Sequence, residues 1–167
     1  MLRDAEIDLT MAIGPREDAV ELMLMRAGLR KRLGMLREAS EDYEKSILAV
    51  LQSAKMAATV TDYDHKIGQQ RFEQTVSDTV LSLFADCALT APREEHEEHG
   101  AAELKRVMNE VLEFDPLRPM PLAQRGRAHA ELGEYDDARR DLDHAVSASQ
   151  EESCAVLVLR AHLWQKS

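Results

Sequence analysis

Aromatic residues and β-strand signals are scarce in this sequence of 167 residues. Phe, Trp and Tyr make up 4 % of it, whereas helix formers such as Ala, Leu, Glu, Arg and Met are abundant. Few stretches concentrate β-branched residues, and no Asn-Gly or Asp-Gly hairpin signal is present. Hydrophobic residues still make up 44 % of the chain, which is enough for a core. The composition therefore predicts an all-α domain.

Long apolar runs are also missing. No run approaches the roughly 18 residues that a membrane helix needs, and residues 1–6 lack the apolar core of a signal peptide. The formal net charge of −10 repels nucleic acid and anionic membranes at long range. We therefore expect a cytoplasmic protein that binds neither nucleic acid nor membrane.

Cysteine is limited to Cys87 and Cys154, which are far apart and lie in apolar helical runs. The favoured interpretation is a pair of buried, reduced thiols in a cytosolic protein. A disulfide or a catalytic thiol is the alternative.

Two segments of the sequence, residues 26–47 and 125–146, align with each other without a gap. In each, a small residue is followed after seven positions by Gly, after five more by Ala, after four more by a large apolar residue, and after three more by a small one. The spacing predicts a helix, a tight turn and a second helix, because glycine takes a left-handed conformation at a helix end most easily. The small residues let the two helices approach closely. The residues concerned are Ala27, Gly34, Ala39, Tyr43 and Ser46 in the first copy and Gly126, Gly133, Ala138, Leu142 and Ala145 in the second.

This pattern resembles the tetratricopeptide repeat, a helical hairpin of 34 residues. The N-terminal copy departs from the family at Arg30 and Leu51, where an aromatic residue and a proline are usual. The resemblance implies an α-solenoid of antiparallel helical hairpins, with about seven helices. In the C-terminal copy, which follows Phe114-Asp115-Pro116, the matching residues are Leu122, Gly126, Ala128, Gly133, Tyr135, Ala138 and Ala145.

The repeat register predicts a single array over residues 1–167 that is a fragment of a longer protein; the alternative is a short array capped by partners. Its predicted parts are a half repeat (1–13), a repeat (20–53), an irregular elongated hairpin (54–118) with an acidic loop (93–99), a repeat (119–152) and a half repeat (153–166).

The irregular part departs from the repeat pattern because its residues do not fit the family positions. We expect the helix that begins at Leu36 to run to about Thr59 and a polar break to follow at residues 61–65. One long helix is then predicted over about 69–89, and another over about 101–114.

Residues 94–99 contain the sharpest candidate for chemistry. If this segment is helical, His96 and His99 share a face and can chelate zinc or nickel. The favoured interpretation is a solvated acidic loop. The sequence contains no Gly-rich phosphate loop and no Gly-x-Ser-x-Gly elbow. We therefore expect no catalytic site, no cofactor and no metal.

A partner-binding surface is the stronger prediction. The resemblance implies that the first helix of each hairpin lines a concave face, and basic residues cluster at 26–32 and at Arg125 and Arg127. Such residues can hold an acidic or C-terminal peptide; the alternative is that they only offset nearby carboxylates. The predicted binding residues are Leu24, Lys31, Arg32, Arg127, Glu131, Leu157 and Trp164.

The predicted function is a non-catalytic scaffold or adaptor that holds a protein partner in a multiprotein assembly. The alternative is a co-chaperone or targeting receptor that binds a peptide in the concave groove. The terminal half repeats also allow a homo-oligomer, because stacking two copies would bury their apolar faces.

Overall fold

The computed structural model describes residues 1–14, 19–92 and 100–149, together with residues 158, 160 and 161. Within these residues the chain forms eight α-helices and no strand, which confirms the all-α prediction. The predicted number of about seven helices is too low. The helices are α1 (Leu2–Ile13), α2 (Val20–Arg32), α3 (Leu36–Ala57), α4 (Asp62–Thr75), α5 (Asp78–Thr90), α6 (Gly100–Phe114), α7 (Pro119–Glu131) and α8 (Tyr135–Ala148).

The chain divides into two compact units, Met1–Arg93 and Glu94–Ser167. In the first unit α3 packs on α2, α4 and α5, and α1 packs on α2. In the second unit α7 packs on both α6 and α8. Each unit is therefore built around a helical hairpin, α2–α3 or α7–α8.

The turns of the two hairpins have the same backbone structure. Gly34 and Gly133 both have φ of 79°, a left-handed conformation that costs glycine little. In each turn the N–H after the glycine donates to the carbonyl five residues earlier, from Met35 to Arg30 and from Glu134 to His129, both at 2.9 Å. This hydrogen bond and the left-handed glycine form a Schellman motif, which ends α2 and α7. The helix–turn–helix prediction is therefore confirmed at both places.

Small residues lie where the helices of each hairpin meet. Ala27 on α2 and Ala39 on α3 have no exposed surface. In the second hairpin, a methyl group added to Gly126 would lie 2.9 Å from Cγ of Leu142 and 3.1 Å from the carbonyl oxygen of Ala138. The close packing predicted from the sequence pattern is therefore present, and it is tightest at Gly126.

The long helix predicted over residues 69–89 is wrong, because the chain breaks between α4 and α5. Val76 leaves the helical conformation (φ −92°, ψ 60°). The side chain of Ser77 then caps α5 by accepting a hydrogen bond from the backbone N–H of Val80 at 3.4 Å. Val76 is itself buried, so the apolar pattern continues through a break that separates two helices.

The polar break predicted at residues 61–65 is wrong in its position. Thr61 is the N-cap of α4, and its side chain accepts a hydrogen bond from the backbone N–H of Asp64 at 3.0 Å. A threonine followed by acidic residues in the first turn stabilises a helix start. The polar residues therefore begin α4. The extended α3 of 22 residues is confirmed and ends at Ala57.

Candidate partner-binding surface

A buried carboxylate joins three helices of the first unit. The side chain of Asp42 on α3 is 1 % exposed. It accepts hydrogen bonds from Nε and Nη2 of Arg26 at 2.8 and 2.7 Å and from Nη1 of Arg30 at 2.9 Å. Arg30 also donates to Oε1 of Glu6 on α1 at 2.8 and 2.9 Å. These four residues, here called the Asp42 network, connect α1, α2 and α3.

The second unit repeats the central ion pair 99 residues further along the chain. Nε and Nη2 of Arg125 donate to Asp141, both at 2.7 Å, as Arg26 does to Asp42. Nη1 of Arg125 donates to Asn109 on α6 at 3.0 Å, where Nη1 of Arg26 donates to Thr10 on α1 at 3.2 Å.

The helix bounds show the same shift, because α2 and α7 also differ by 99 residues at both ends. The duplicated unit therefore has three helices, α1–α3 and α6–α8, and the pair α4–α5 lies between the two copies in the chain.

The copies differ at the outer end of the network. Lys105 and His129 stand at the positions equivalent to Glu6 and Arg30. Nζ of Lys105 donates to both carboxylate oxygens of Glu134, at 3.0 and 2.7 Å. Nδ1 of His129 lies 2.5 Å from Oε2 of Glu134, and its Nε2 lies 3.6 Å from Oδ2 of Asp141. The acidic Glu6 of α1 is thus replaced by the basic Lys105 on α6. Glu134 supplies the carboxylate that joins Lys105 to His129.

His129, Glu134 and Asp137 place their ligand atoms within 4.8 Å of one another. This spacing is short enough for a metal ion, but the carboxylates already have cationic partners. Lys105 occupies both oxygens of Glu134, and Arg140 pairs with Asp137. The arrangement therefore favours ion pairs over a metal. The sequence candidates His96 and His99 lie outside the described residues.

The ion pairs make stability sensitive to acid. The hydrogen bond from Arg30 holds the pKa of Glu6 below the ordinary glutamate value of 4.5, and hydrogen bonds from Lys105 and His129 lower the pKa of Glu134. A depressed pKa means that the unfolded chain takes up protons first as the pH falls. The stabilisation is therefore complete above about pH 4.5 and is lost as the pH falls through the lower pKa of the folded protein.

We expect Glu6→Gln to reduce the slope with which the free energy of unfolding falls below pH 4.5, because the variant has no carboxylate at this position to protonate. Chemical denaturation at a series of pH values measures this slope. The control is Asp8→Asn, an exposed carboxylate in the middle of the same helix, which should keep the slope of the parent. Equal slopes for Glu6→Gln and the parent would contradict the prediction.

The structure places five of the seven predicted binding residues. Leu24 and Lys31 are half-buried on α2, and Arg32 is exposed at its end. Nζ of Lys31 lies 3.7 Å from Oδ2 of Asp86, so part of its charge is already offset. On α7 of the second unit, Arg127 is half-buried and Glu131 is exposed. The remaining two, Leu157 and Trp164, lie outside the described residues.

Three of the six basic residues in the predicted cluster bind carboxylates of their own unit. Arg26 and Arg30 bind Asp42 and Glu6, and Arg125 binds Asp141. For these three arginines the alternative interpretation is therefore correct, since they offset nearby carboxylates. Arg32 stays exposed at the end of α2.

An open cavity in the first unit was not predicted from the sequence. It has a volume of about 500 Å³ and is here called the α3–α4 groove. No sequence signal pointed to this groove, because its walls come from three helices and because the start of α4 was expected to be a break. Its lining residues are Val20 on α2, Ala49, Val50, Gln52, Ser53 and Met56 on α3, and Arg71 on α4.

Cys87 on α5 has no exposed surface, and burial raises the pKa of its thiol. A buried, protonated thiol reacts slowly, because the thiolate is the nucleophile. In a Cys154→Ser variant, where Cys87 is the one remaining thiol, we expect Ellman's reagent to react slowly with native protein and rapidly in denaturant. Fast labelling of the native variant would contradict this. Cys154 lies outside the described residues.

Comparisons with the models of known families, with curated proteins and with solved structures give no match for this chain. The resemblance to the tetratricopeptide repeat therefore stays a prediction from the sequence pattern. Among the described residues, no helix combines the length and the apolar character that crossing a membrane requires.

Proposed function

We propose that this chain is a non-catalytic interaction module of the tetratricopeptide type, which holds a protein partner in a larger assembly. The observation that carries the proposal is the duplication of a three-helix unit with the same buried Arg–Asp pair, Arg26–Asp42 and Arg125–Asp141. Repeated helical hairpins stack into α-solenoids whose extended surfaces bind other proteins. In the proposed solenoid, α2 and α7 are the first helices of their hairpins.

The two Arg–Asp pairs support a binding role because each fixes the two helices of its hairpin. Asp42 and Asp141 are 1 % and 9 % exposed in their side chains, and an arginine on the preceding helix binds each through two parallel hydrogen bonds. Bidentate pairs of this kind constrain geometry as well as adding energy. A surface built on fixed helices binds a partner with less loss of conformational entropy.

Two reactive side chains, Cys87 and His129, are poorly placed for catalysis, and this supports a non-catalytic role. The thiol of Cys87 is buried, and its pKa is raised by that burial. His129 is mostly buried, and Nδ1 lies within hydrogen-bond distance of Glu134. Neither group has the exposed, activated position that a nucleophile or a general base requires.

Chemical cross-linking of the intact protein in its native extract, followed by mass spectrometry, tests the proposal. We expect cross-links to one or a few proteins through lysines of the hairpins. A parallel sample of the parent cross-linked in urea is the negative control, because unfolding should remove the cross-links that depend on the fold. A parent protein that gives no cross-links beyond those of this control would refute the proposed function.

A further inference from the structure

The α3–α4 groove combines an apolar wall with one arginine. Val20, Ala49, Val50 and Met56 supply the apolar side chains, and Gln52 and Ser53 are polar. Met56 is 64 % exposed at the groove. The volume of about 500 Å³ lies within the range of 300–1,000 Å³ that is typical of ligand pockets. The groove therefore has room for more than one apolar side chain of a partner.

Arg71 is the cationic group of this groove. It is exposed, and within the part of the chain that the structure describes it makes no hydrogen bond or ion pair. The arginines of the Asp42 network, by contrast, bind carboxylates of their own unit. A guanidinium beside apolar side chains, with its donors unused, suits a carboxylate from another molecule, because its planar fork binds carboxylates through two parallel bonds.

Two exposed apolar residues lie on the face of α4 that carries Arg71. Tyr63 and Ile67 are 73 % and 47 % exposed and precede Arg71 by eight and four residues, so the three side chains share one face of the helix. They cover about 12 Å along the axis. A helical partner recognises such a surface through apolar side chains spaced at three and four residues.

We propose that the α3–α4 groove is the partner-binding site of this unit and that it takes an acidic amphipathic helix of another protein. Apolar side chains of that helix lie against Met56, Ile67 and Tyr63, and a carboxylate binds Arg71. The inference rests on the proposed function and names a different surface from the one that the repeat pattern implies. An acidic partner is chosen because Arg71 is the charged residue that lines the groove.

A display library of amphipathic helical peptides, with the charged positions randomised, tests the site. Selection against the full chain should enrich Glu and Asp next to the apolar stripe. Selection against Arg71→Glu should enrich Lys and Arg instead, and the peptides from the first selection should bind this variant about tenfold more weakly or worse. Met56→Asp should weaken the same peptides, because it places a charge in the apolar wall.

The matched control is Lys66→Glu, which makes the same charge change on the same helix. Lys66 is exposed and lies about 140° away from Arg71 around the helix axis, so this variant should keep the acidic preference. Thermal melts of the variants verify that each is folded. The proposal is overturned if no peptide binds, if the charge preference is the same for the parent and Arg71→Glu, or if light scattering shows that the parent is a dimer and that Arg71→Glu makes it a monomer.

The cross-linking experiment separates this inference from the proposed function. If a protein partner is captured by the parent and equally by Arg71→Glu, the interaction function stands and the α3–α4 groove is not its site. If capture is lost in Arg71→Glu and kept in Lys66→Glu, both stand. If no partner is captured, the function and the site proposed within it both fail.

Discussion

Leucine in place of both Arg26 and Arg30 is expected to lower the free energy of unfolding by about 3–5 kcal/mol, because it leaves the buried Asp42 without a cation. Asp42 is 1 % exposed and receives three hydrogen bonds from these two arginines. Removing the partners of a buried charge costs more than the pair itself contributes, since the remaining charge keeps its desolvation penalty. Urea denaturation measures the difference.

Either single substitution, Arg26→Leu or Arg30→Leu, is expected to cost less than the double substitution, because one arginine still binds Asp42. Adding Asp42→Leu to the double variant should recover much of the lost stability, since the uncompensated charge is then gone and an apolar group fills its place. Such a recovery would show that the uncompensated charge of Asp42 causes the destabilisation, because a loss of packing alone would not be reversed by removing that charge.

The control for the Asp42 network is Arg37→Leu on α3. Arg37 is about half exposed, and its nitrogen lies 3.7 Å from the carboxylate of Glu41 one turn later. Exposed pairs of this kind contribute about 0.3–0.5 kcal/mol, so the variant should stay close to the parent. A cost for the Arg26 and Arg30 double variant as small as that of Arg37→Leu would show that Asp42 is not held as a buried charge.

Alanine at Gly126 is expected to destabilise the protein by up to about 2 kcal/mol, although alanine favours a helix. The helix propensity gain of about 1 kcal/mol is outweighed by overpacking, which costs about 1–3 kcal/mol. The new methyl group would lie 2.9 Å from Cγ of Leu142 and 3.1 Å from the carbonyl oxygen of Ala138. Neither atom is the free end of a flexible side chain, so α7 and α8 must move apart.

Gly28 on α2 is the matched control, because alanine there has room. The nearest atom to its added methyl group is the hydroxyl oxygen of Tyr43, at 4.0 Å. Gly28→Ala should therefore stabilise the protein by about 0.5–1 kcal/mol through helix propensity and the stiffer unfolded chain. The two substitutions are chemically identical and are expected to change the melting temperature in opposite directions. A change of the same sign in both would contradict the packing at Gly126.

Local sequence signals predicted the hairpins well because they act over a few residues. Gly34 and Gly133 adopt the left-handed conformation that the pattern requires, and the extension of α3 beyond one repeat is present as predicted. The same local reasoning failed at residues 61–77. There Thr61 begins a helix instead of ending one, and Ser77 starts a new helix inside a continuous apolar pattern.

The candidate site was harder to predict because charged residues are equivalent in a sequence until their partners are known. Arg26, Arg30 and Arg71 are all arginines on helices, yet the first two bind carboxylates of their own unit, whereas the third binds none among the residues that the structure describes. The α3–α4 groove exists only where α2, α3 and α4 meet. The repeat pattern also asks for a small residue at both Ala27 and Gly126, and it cannot say that only the second lacks room for a methyl group.

The sequence by itself determined that the chain is helical, where its two hairpins turn and which small residues lie between their helices. These features depend on backbone conformation and on contacts three or four residues apart, which the order of residues encodes directly. The tertiary structure decided which arginines are bound within a unit, where α4 separates from α5, and which cavity is left beside Arg71. Those outcomes depend on residues from different helices, whose distances are set only when the helices pack.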